Sequence, residues 1–384
     1  MKILYHHRTA SKDGQAVHIE EMIASLRALG HEVRLVAPGG SDNSSDMGGQ
    51  VGWVHKLRAR LPKALYELLE LAYSLVAYRR LNAAAKEFKP DVIYERYNLF
   101  LLAGVMLKRR TGLPLLLEVN APLAEERGLF GGLGLPWLAN WAERVAWRGA
   151  DFVLPVTHVL AGHVTARGVP DNRIVIIPNG INESHFSKAP SSDVAKQKIG
   201  WDNALILGFT GFVRDWHGVD RVVRWLATSS APANAKLLVV GDGPARADLE
   251  KLATALRVAD RVRFTGFVPR DQVPAYVAAF DIALQPAVVA YASPLKLFEY
   301  LALRKAVIAP MCPNIEEVLE HDLNALLFDE NVKGAFESSL DRLCADNVLR
   351  GRLGDAAGKT IARLGLTWNR NAERVTELAK RAQQ

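Results

Sequence analysis

Short apolar runs and longer stretches of helical spacing alternate along this chain. Ile3-Leu4-Tyr5 is the first run, followed by a polar stretch over residues 8–15. Val17, Ile19, Met22, Ile23, Leu26 and Leu29 then recur at helical spacing, and Gly30 ends that helix as a C′ glycine. Residues 32–37 form the next strand, completing a βαβ unit with a right-handed crossover. The rhythm predicts further buried strands at residues 90–94, 113–119, 151–155 and 174–177, and Pro178-Asn179-Gly180 closes the series with a turn signal. Residues 187–192 are polar, contain Pro190 and read as a linker. A second series follows, with strands at residues 204–210, 236–240, 262–264, 282–286 and 306–309. The pattern predicts an α/β chain of two Rossmann-like, doubly wound domains facing a cleft, with ligands at the carboxyl ends of the strands.

A length of 384 residues agrees with two cores, and 49% apolar with 23% charged residues is a globular balance. Cys312 and Cys344 are the two cysteines, which excludes a disulfide scaffold or a Cys-based zinc site and makes the cytoplasm the expected compartment. No uncharged apolar stretch is long enough to span a bilayer. The net charge of +7 is uneven, because residues 51–110 hold twelve Lys/Arg against five Asp/Glu. That segment is either a solvated helix face or a docking surface for an anionic membrane, which would make the protein peripheral at the inner face. Nucleic acid is not expected as a partner, since no recognition motif accompanies the charge.

Within residues 51–86, Trp53, Tyr66, Tyr73 and Tyr78 are interleaved with Lys56, Arg58, Arg60, Lys63, Arg79 and Arg80. Leu61, Leu65, Leu68, Leu69, Ala72, Leu75 and Val76 fall on one helical stripe of the same segment. Residues 128–142 add an uncharged stretch rich in Gly, Leu and Trp.

Four loops after strands hold the candidate chemistry. Ser11-Lys12-Asp13-Gly14-Gln15 precedes the first helix, where Gly14 lets the backbone approach a phosphate near free helix amides. Gly211-Phe212-Val213-Arg214-Asp215-Trp216-His217-Gly218 offers the Arg214 fork for phosphate oxygens and His217 as a further donor. Gly241-Asp242-Gly243-Pro244 is a tight strand-to-helix turn. In the fourth loop Ser293 is expected to cap a helix opened by Pro294, with Leu295 and Lys296 in its first turn and Glu299 following on the same side. Free amides, a cation and a carboxylate together suit a nucleoside diphosphate.

These motifs resemble the retaining family 4 glycosyltransferases of GT-B fold, over nearly the whole chain. Residues 14–18 are similar to that family's N-terminal glycine loop, and residues 177–181 to the stretch before its interdomain linker. Residues 264–268 resemble the loop whose backbone reads the nucleotide base, through Phe267 and Val268. Residues 294–301 are similar to the end of the family's E-x7-E signature. The resemblance implies an acceptor-side domain at residues 1–185 and a donor-binding domain at 186–365. It also implies a last helix, residues 366–384, crossing back to the first domain. The implied partners are a nucleotide-diphosphate sugar and a glycan or lipid-linked acceptor, with Glu299 on the ribose hydroxyls.

Three positions depart from the family pattern. Tyr291 stands where the first signature acid belongs, Phe212 and His217 replace the phosphate-binding Arg and Lys, and Asn120 replaces a histidine near the acceptor. Arg214 and Lys296 are expected to supply the phosphate charge, and Glu95, Glu118 and Asn120 to activate the acceptor. No D-x-D or H-E-x-x-H pattern occurs, so neither a metal nor a cofactor is expected. The alternatives are another GT-B enzyme, an epimerase or sugar-phosphate synthase, and a non-catalytic nucleotide-sugar-binding protein.

Overall fold

The computed structural model describes residues 1–9, 14–38 and 61–384. Ser11 to Asp13 of the first glycine loop, and Trp53, Lys56, Arg58 and Arg60 of the basic segment, lie outside the described residues. Two compact units account for the rest. The first comprises Met1–Pro178, Tyr291–Ser293 and Trp368–Gln384, and the second Asn179–Ala290 and Pro294–Thr367.

In the first unit, β1 (Lys2–His6), β2 (Glu32–Val36), β3 (Val92–Arg96), β4 (Leu115–Val119) and β5 (Phe152–Pro155) form a parallel sheet in the order β2-β1-β3-β4-β5. The principal helices are α1 (Gly14–Ala28), α2 (Lys63–Phe88), α3 (Ala103–Thr111), α4 (Pro136–Gly149) and α5 (His158–Ala166). The C-terminal helix, Trp368–Ala382, packs on α1 and buries Trp368, Val375, Leu378 and Ala379. After Lys2 at the start of β1, strands β1, β3 and β4 are apolar or aromatic until their carboxyl ends, where His6, Glu95, Arg96 and Glu118 appear. The register sets His6 beside Glu95 and Arg96 beside Glu118.

One sequence expectation changes here. Residues 174–177 run along β5, with the Val175 and Ile177 N–H groups donating to Val153 and Pro155 carbonyls, but only one bridge forms. Pro155 has no N–H to return, so the ladder stops. The apolar stripe of α2 faces outward. Glu67, Glu70 and Ser74 are buried with Ala77 and Leu81, while Leu65, Leu68, Leu69, Leu75 and Val76 face solvent. Specific bonds hold that orientation. Glu67 accepts the N–H groups of Gly134 and Leu135, each at 2.7 Å, and Glu70 pairs with Arg8 and Arg127.

The second unit contains β6 (Leu205–Thr210), β7 (Ala235–Val240), β8 (Val262–Phe264), β9 (Ile282–Leu284), β10 (Ala306–Pro310) and β11 (Leu326–Phe328). They form a parallel sheet in the order β11-β10-β9-β6-β7-β8. Its main helices are α6 (Val219–Leu226), α7 (Arg246–Ala255), α8 (Leu295–Ala302), α9 (Ala335–Ala345) and α10 (Asn347–Leu364). One core cluster lies on each face of the sheet, the first built around Phe280, Phe298 and Tyr300 and the second around Phe209, Trp225 and Phe336. The parallel, doubly wound sheets are the α/β architecture that the alternating pattern predicts.

Candidate functional site

The carboxyl end of β6 gathers the charged groups of the second unit. Gly211, at φ 121°, turns the chain out of the strand, and Gly241, at φ 140°, ends β7 beside it. A Cβ on Gly241 would meet the Gly211 carbonyl oxygen at 2.1 Å, so only glycine lets the two turns touch. After Gly211, Phe212 and Arg214 are exposed, with the guanidinium 5.0 Å over the Phe212 ring.

His217 is buried behind them, and its Nδ1 accepts the Arg214 backbone N–H at 3.1 Å. That bond leaves the neutral ring's proton on Nε2, as a donor. Burial pushes the imidazole down to about 3, reinforced by the charges of Lys296 and Arg214, so the ring is neutral at physiological pH.

α8 delivers the other groups. The helix starts at Leu295, after an extended Pro294 whose side chain makes no capping bond. The amides of a helix's first turn have no partner within the helix itself. Lys296 reaches back over the Phe209 ring, 3.7 Å from its centre, and lies close to Gly211, whose built Cβ would stand 3.7 Å from Nζ. Burial pushes the Lys296 ammonium down to about 7, opposed by Glu299. Burial likewise pushes the Glu299 carboxyl up to about 7, against the Thr210 hydrogen bond and the Lys296 charge. Thr210 Oγ1 donates to Glu299 Oε2 at 3.2 Å. A half-buried Lys–Glu pair of this kind changes charge readily when an anion arrives. Further along the same edge, Gly266 turns at φ 70°, Phe267 projects with 77% of its surface exposed, and Val268 packs on the core.

The first unit has its own polar cluster at the carboxyl edge of β1, β3 and β4. Glu118 is buried and surrounded by donors. Tyr94 Oη lies at 2.8 Å, Asn120 Nδ2 at 2.5 Å and His18 Nε2 at 2.9 Å, and the Arg96 guanidinium is paired with it as well. Burial alone would raise this carboxyl, but His18 and Arg96 hold it well below the usual range. Glu95, also buried, accepts from His6 Nδ1 at 2.5 Å and from the Gly104 N–H at 3.0 Å. His7 accepts the Thr9 N–H through Nδ1 at 3.1 Å, and burial with the neighbouring His6 and Arg96 charges lowers it to about 4. Gly14 opens α1 and is exposed. Tyr291 belongs to this unit as well. Its hydroxyl donates to Glu126 at 2.7 Å and its carbonyl accepts from Thr157 at 3.0 Å.

Two family models account for most of the chain. A glycosyl transferase 4-like domain matches residues 13–180, and glycosyl transferases group 1 matches residues 191–360. The chain belongs to the GT-B glycosyltransferases. Anabaena HepE in complex with UDP superposes with a TM-score of 0.74 at 19% identity, covering 98% of this chain and 99% of that one. The 2-deoxystreptamine glucosyltransferase of Streptomyces kanamyceticus is 30% identical over 196 residues, 49% of this chain and 50% of the relative. The 2-deoxystreptamine N-acetyl-D-glucosaminyltransferase of Streptomyces fradiae is 30% identical over 251 residues, 61% of this chain and 59% of the relative. The chain thus spans about half to three-fifths of the length of these curated relatives.

In this glycosyltransferase the sequence-selected residues separate into two groups. Arg214, His217, Lys296 and Glu299 share the β6 edge, with Phe267 and Val268 after β8 in the same unit. Glu95, Glu118 and Asn120 lie in the first unit with Gly14. His6, His7, His18 and Arg96 were not selected from sequence. The adjacent histidines closing the first apolar run were the available signal, but their partner Glu95 is 89 residues away from His6. Among the described residues no cluster of three metal-ligating side chains occurs.

Proposed function

We propose that this glycosyltransferase moves a hexose from a nucleoside-diphosphate sugar to a glycan or lipid-linked acceptor, with retention of configuration and without a divalent metal. The supporting observation is the β6 edge, where a neutral His217 with its proton on Nε2, Lys296, Arg214 and the first turn of α8 lie together. Cleavage of the bond from the anomeric carbon to the diphosphate oxygen leaves charge on that oxygen, and preorganised donors there lower the barrier. Lys296, poised near neutrality, takes up a proton as the diphosphate binds. Glu299 receives the ribose hydroxyls, and the backbone at Phe267 and Val268 meets the base. The neighbour that holds UDP makes a uridine nucleotide the first donor to test.

On the acceptor side, Glu118 and Glu95 are read as positioning residues. Both oxygens of Glu118 and Oε2 of Glu95 already accept from donors, so the two carboxylates fix Asn120, His18, Arg96 and His6 for the acceptor rather than taking its proton. Residues 1–185, 186–365 and 366–384 serve as acceptor-side domain, donor domain and returning helix. An anionic membrane surface is a further partner, with the protein peripheral at the cytoplasmic face.

Incubation with UDP-glucose and candidate acceptors in EDTA tests the reading, with the product's anomeric configuration read by NMR. An α-linked product in chelator is expected. Transfer that requires added magnesium or manganese, or an inverted product, overturns the corresponding part. Tyr291 in place of the signature acid favours one second reading, a nucleotide-sugar-binding protein without catalysis. Tight UDP-sugar binding with neither transfer nor hydrolysis would select it.

A further inference from the structure

The first unit exposes large apolar side chains that donor chemistry does not use. α2 exposes Leu65, Leu68, Leu69, Leu75 and Val76, each between 42% and 55% accessible. On α4, Trp137, Trp141, Arg144 and Arg148 follow at helical spacing along one stripe, opposite the buried Leu138, Ala139, Ala142 and Ala146. Trp137 is 67% exposed, and the segment leading into α4 adds Leu129 and Phe130 at 71% and 68%. Soluble proteins seldom leave so many large apolar side chains outside within one unit.

Charge lies beside this apolar surface. Arg109, at the end of α3, joins Trp141, Arg144 and Arg148 around a shallow groove of ≈ 430 Å³. Among the described residues, the side chains of Arg109, Arg110, Arg144 and Arg148 form no hydrogen bond or ion pair. Arg96, Arg127 and Arg167 of the same unit are each paired with a carboxylate. Unpaired like charges around one groove repel, and an anion relieves that repulsion.

We infer that the α4 stripe and this groove form a docking surface for an anionic lipid bilayer. Trp137 and Trp141 enter the interface, while Arg109, Arg144 and Arg148 bind lipid phosphate groups. The inference rests on the membrane partner proposed above and assigns it to these residues. A second copy of the same face would bring positive charge to positive charge, which disfavours dimerisation there.

The test is co-sedimentation of the full chain with vesicles of phosphatidylcholine alone and mixed with phosphatidylglycerol. Binding to the mixed vesicles only is expected, with a blue shift of tryptophan emission and quenching by brominated lipid. Arg144→Gln with Arg148→Gln should weaken that binding about fivefold per arginine. Trp137→Ser with Trp141→Ser should remove the emission shift. An unchanged circular dichroism spectrum and urea midpoint in both variants report an intact fold. Should either variant fail to fold, Arg109→Gln carries the first expectation and Trp137→Ser alone the second, as a reduced emission shift. Wild-type protein that ignores both vesicle types overturns the membrane reading and the inference together. Vesicle binding indifferent to these variants overturns the inference alone. Equal affinity for neutral vesicles removes the arginines from it. Self-association without lipid that Trp137→Ser abolishes assigns the face to a second copy and overturns the proposal.

Discussion

Glu299 carries a carboxyl that is protonated about half the time near neutrality, because burial opposes its charge while Thr210 and Lys296 favour it. Replacing it by glutamine keeps the shape and removes the strongest acceptor for the ribose hydroxyls. Glu299→Gln is expected to weaken UDP binding by about 1.5 to 3 kcal/mol, the scale of a hydrogen bond to a charged group. Calorimetry giving an unchanged Kd would remove Glu299 from that role. His7 supplies a second residue-level expectation. Its folded-state value is lowered from 6.5 to about 4, so between those values the unfolded chain binds a proton that the folded chain refuses. The stability tied to neutral His7 is complete above 6.5 and is lost as pH falls toward 4. The advantage of wild type over His7→Gln should therefore shrink by up to about 1.4 kcal/mol per pH unit through that window. Urea unfolding at pH 7 and pH 5 that gives the same difference contradicts the assignment. Lys296 and Glu299 were legible in the sequence because they sit three apart in one helix. The network of His6, His7, His18 and Arg96 was not, because sheet register and helix docking bring its members together from separate segments.

Among the elements, β6 shows how closely the second unit is packed. A Cβ on Gly208 would fall 2.1 Å from the Phe280 ring, so Gly208→Ala must displace an aromatic group buried beneath the strand. A loss of about 1 to 3 kcal/mol is expected, seen as a lower urea midpoint at constant m-value. A midpoint equal to wild type would mean that Phe280 moves without cost. Most strands were legible from their apolar runs. β11 escaped because Leu326-Leu327-Phe328 is only three residues long and begins inside a polar stretch. Residues 174–177 had the apolar pattern of a strand but lacked a neighbour able to complete the ladder. α2 was legible as a helix, and its apolar stripe was visible. Which side faced inward was not, because that depends on Glu67 reaching the amides of Gly134 and Leu135, 67 and 68 residues away.

For the whole molecule, alternation alone fixed the fold class, since two series of buried parallel strands admit few architectures. The first unit is discontinuous: the resemblance implied its returning helix, whereas nothing in the sequence marked Tyr291–Ser293 as part of it. Its C-terminal helix sets Trp368 against His18 with ring centres 4.8 Å apart and joins Thr376 to His31 at 2.9 Å. Asn371 and Arg374 donate to the Pro178 and Ile176 carbonyls at 2.6 and 2.7 Å. This arrangement governs the order of events during synthesis. The ribosome releases the first 178 residues early, yet the helix that covers α1 follows the second unit in the chain, so the unit begun first is completed after the second. Until then the α1 surface at His18, which Trp368 covers, has no lid, while the second unit can already close on itself. A chain ending at Thr367 should therefore keep UDP affinity and lose protease resistance in its amino-terminal half. Limited proteolysis that leaves residues 1–178 intact in such a chain would show that the first unit matures without its final helix.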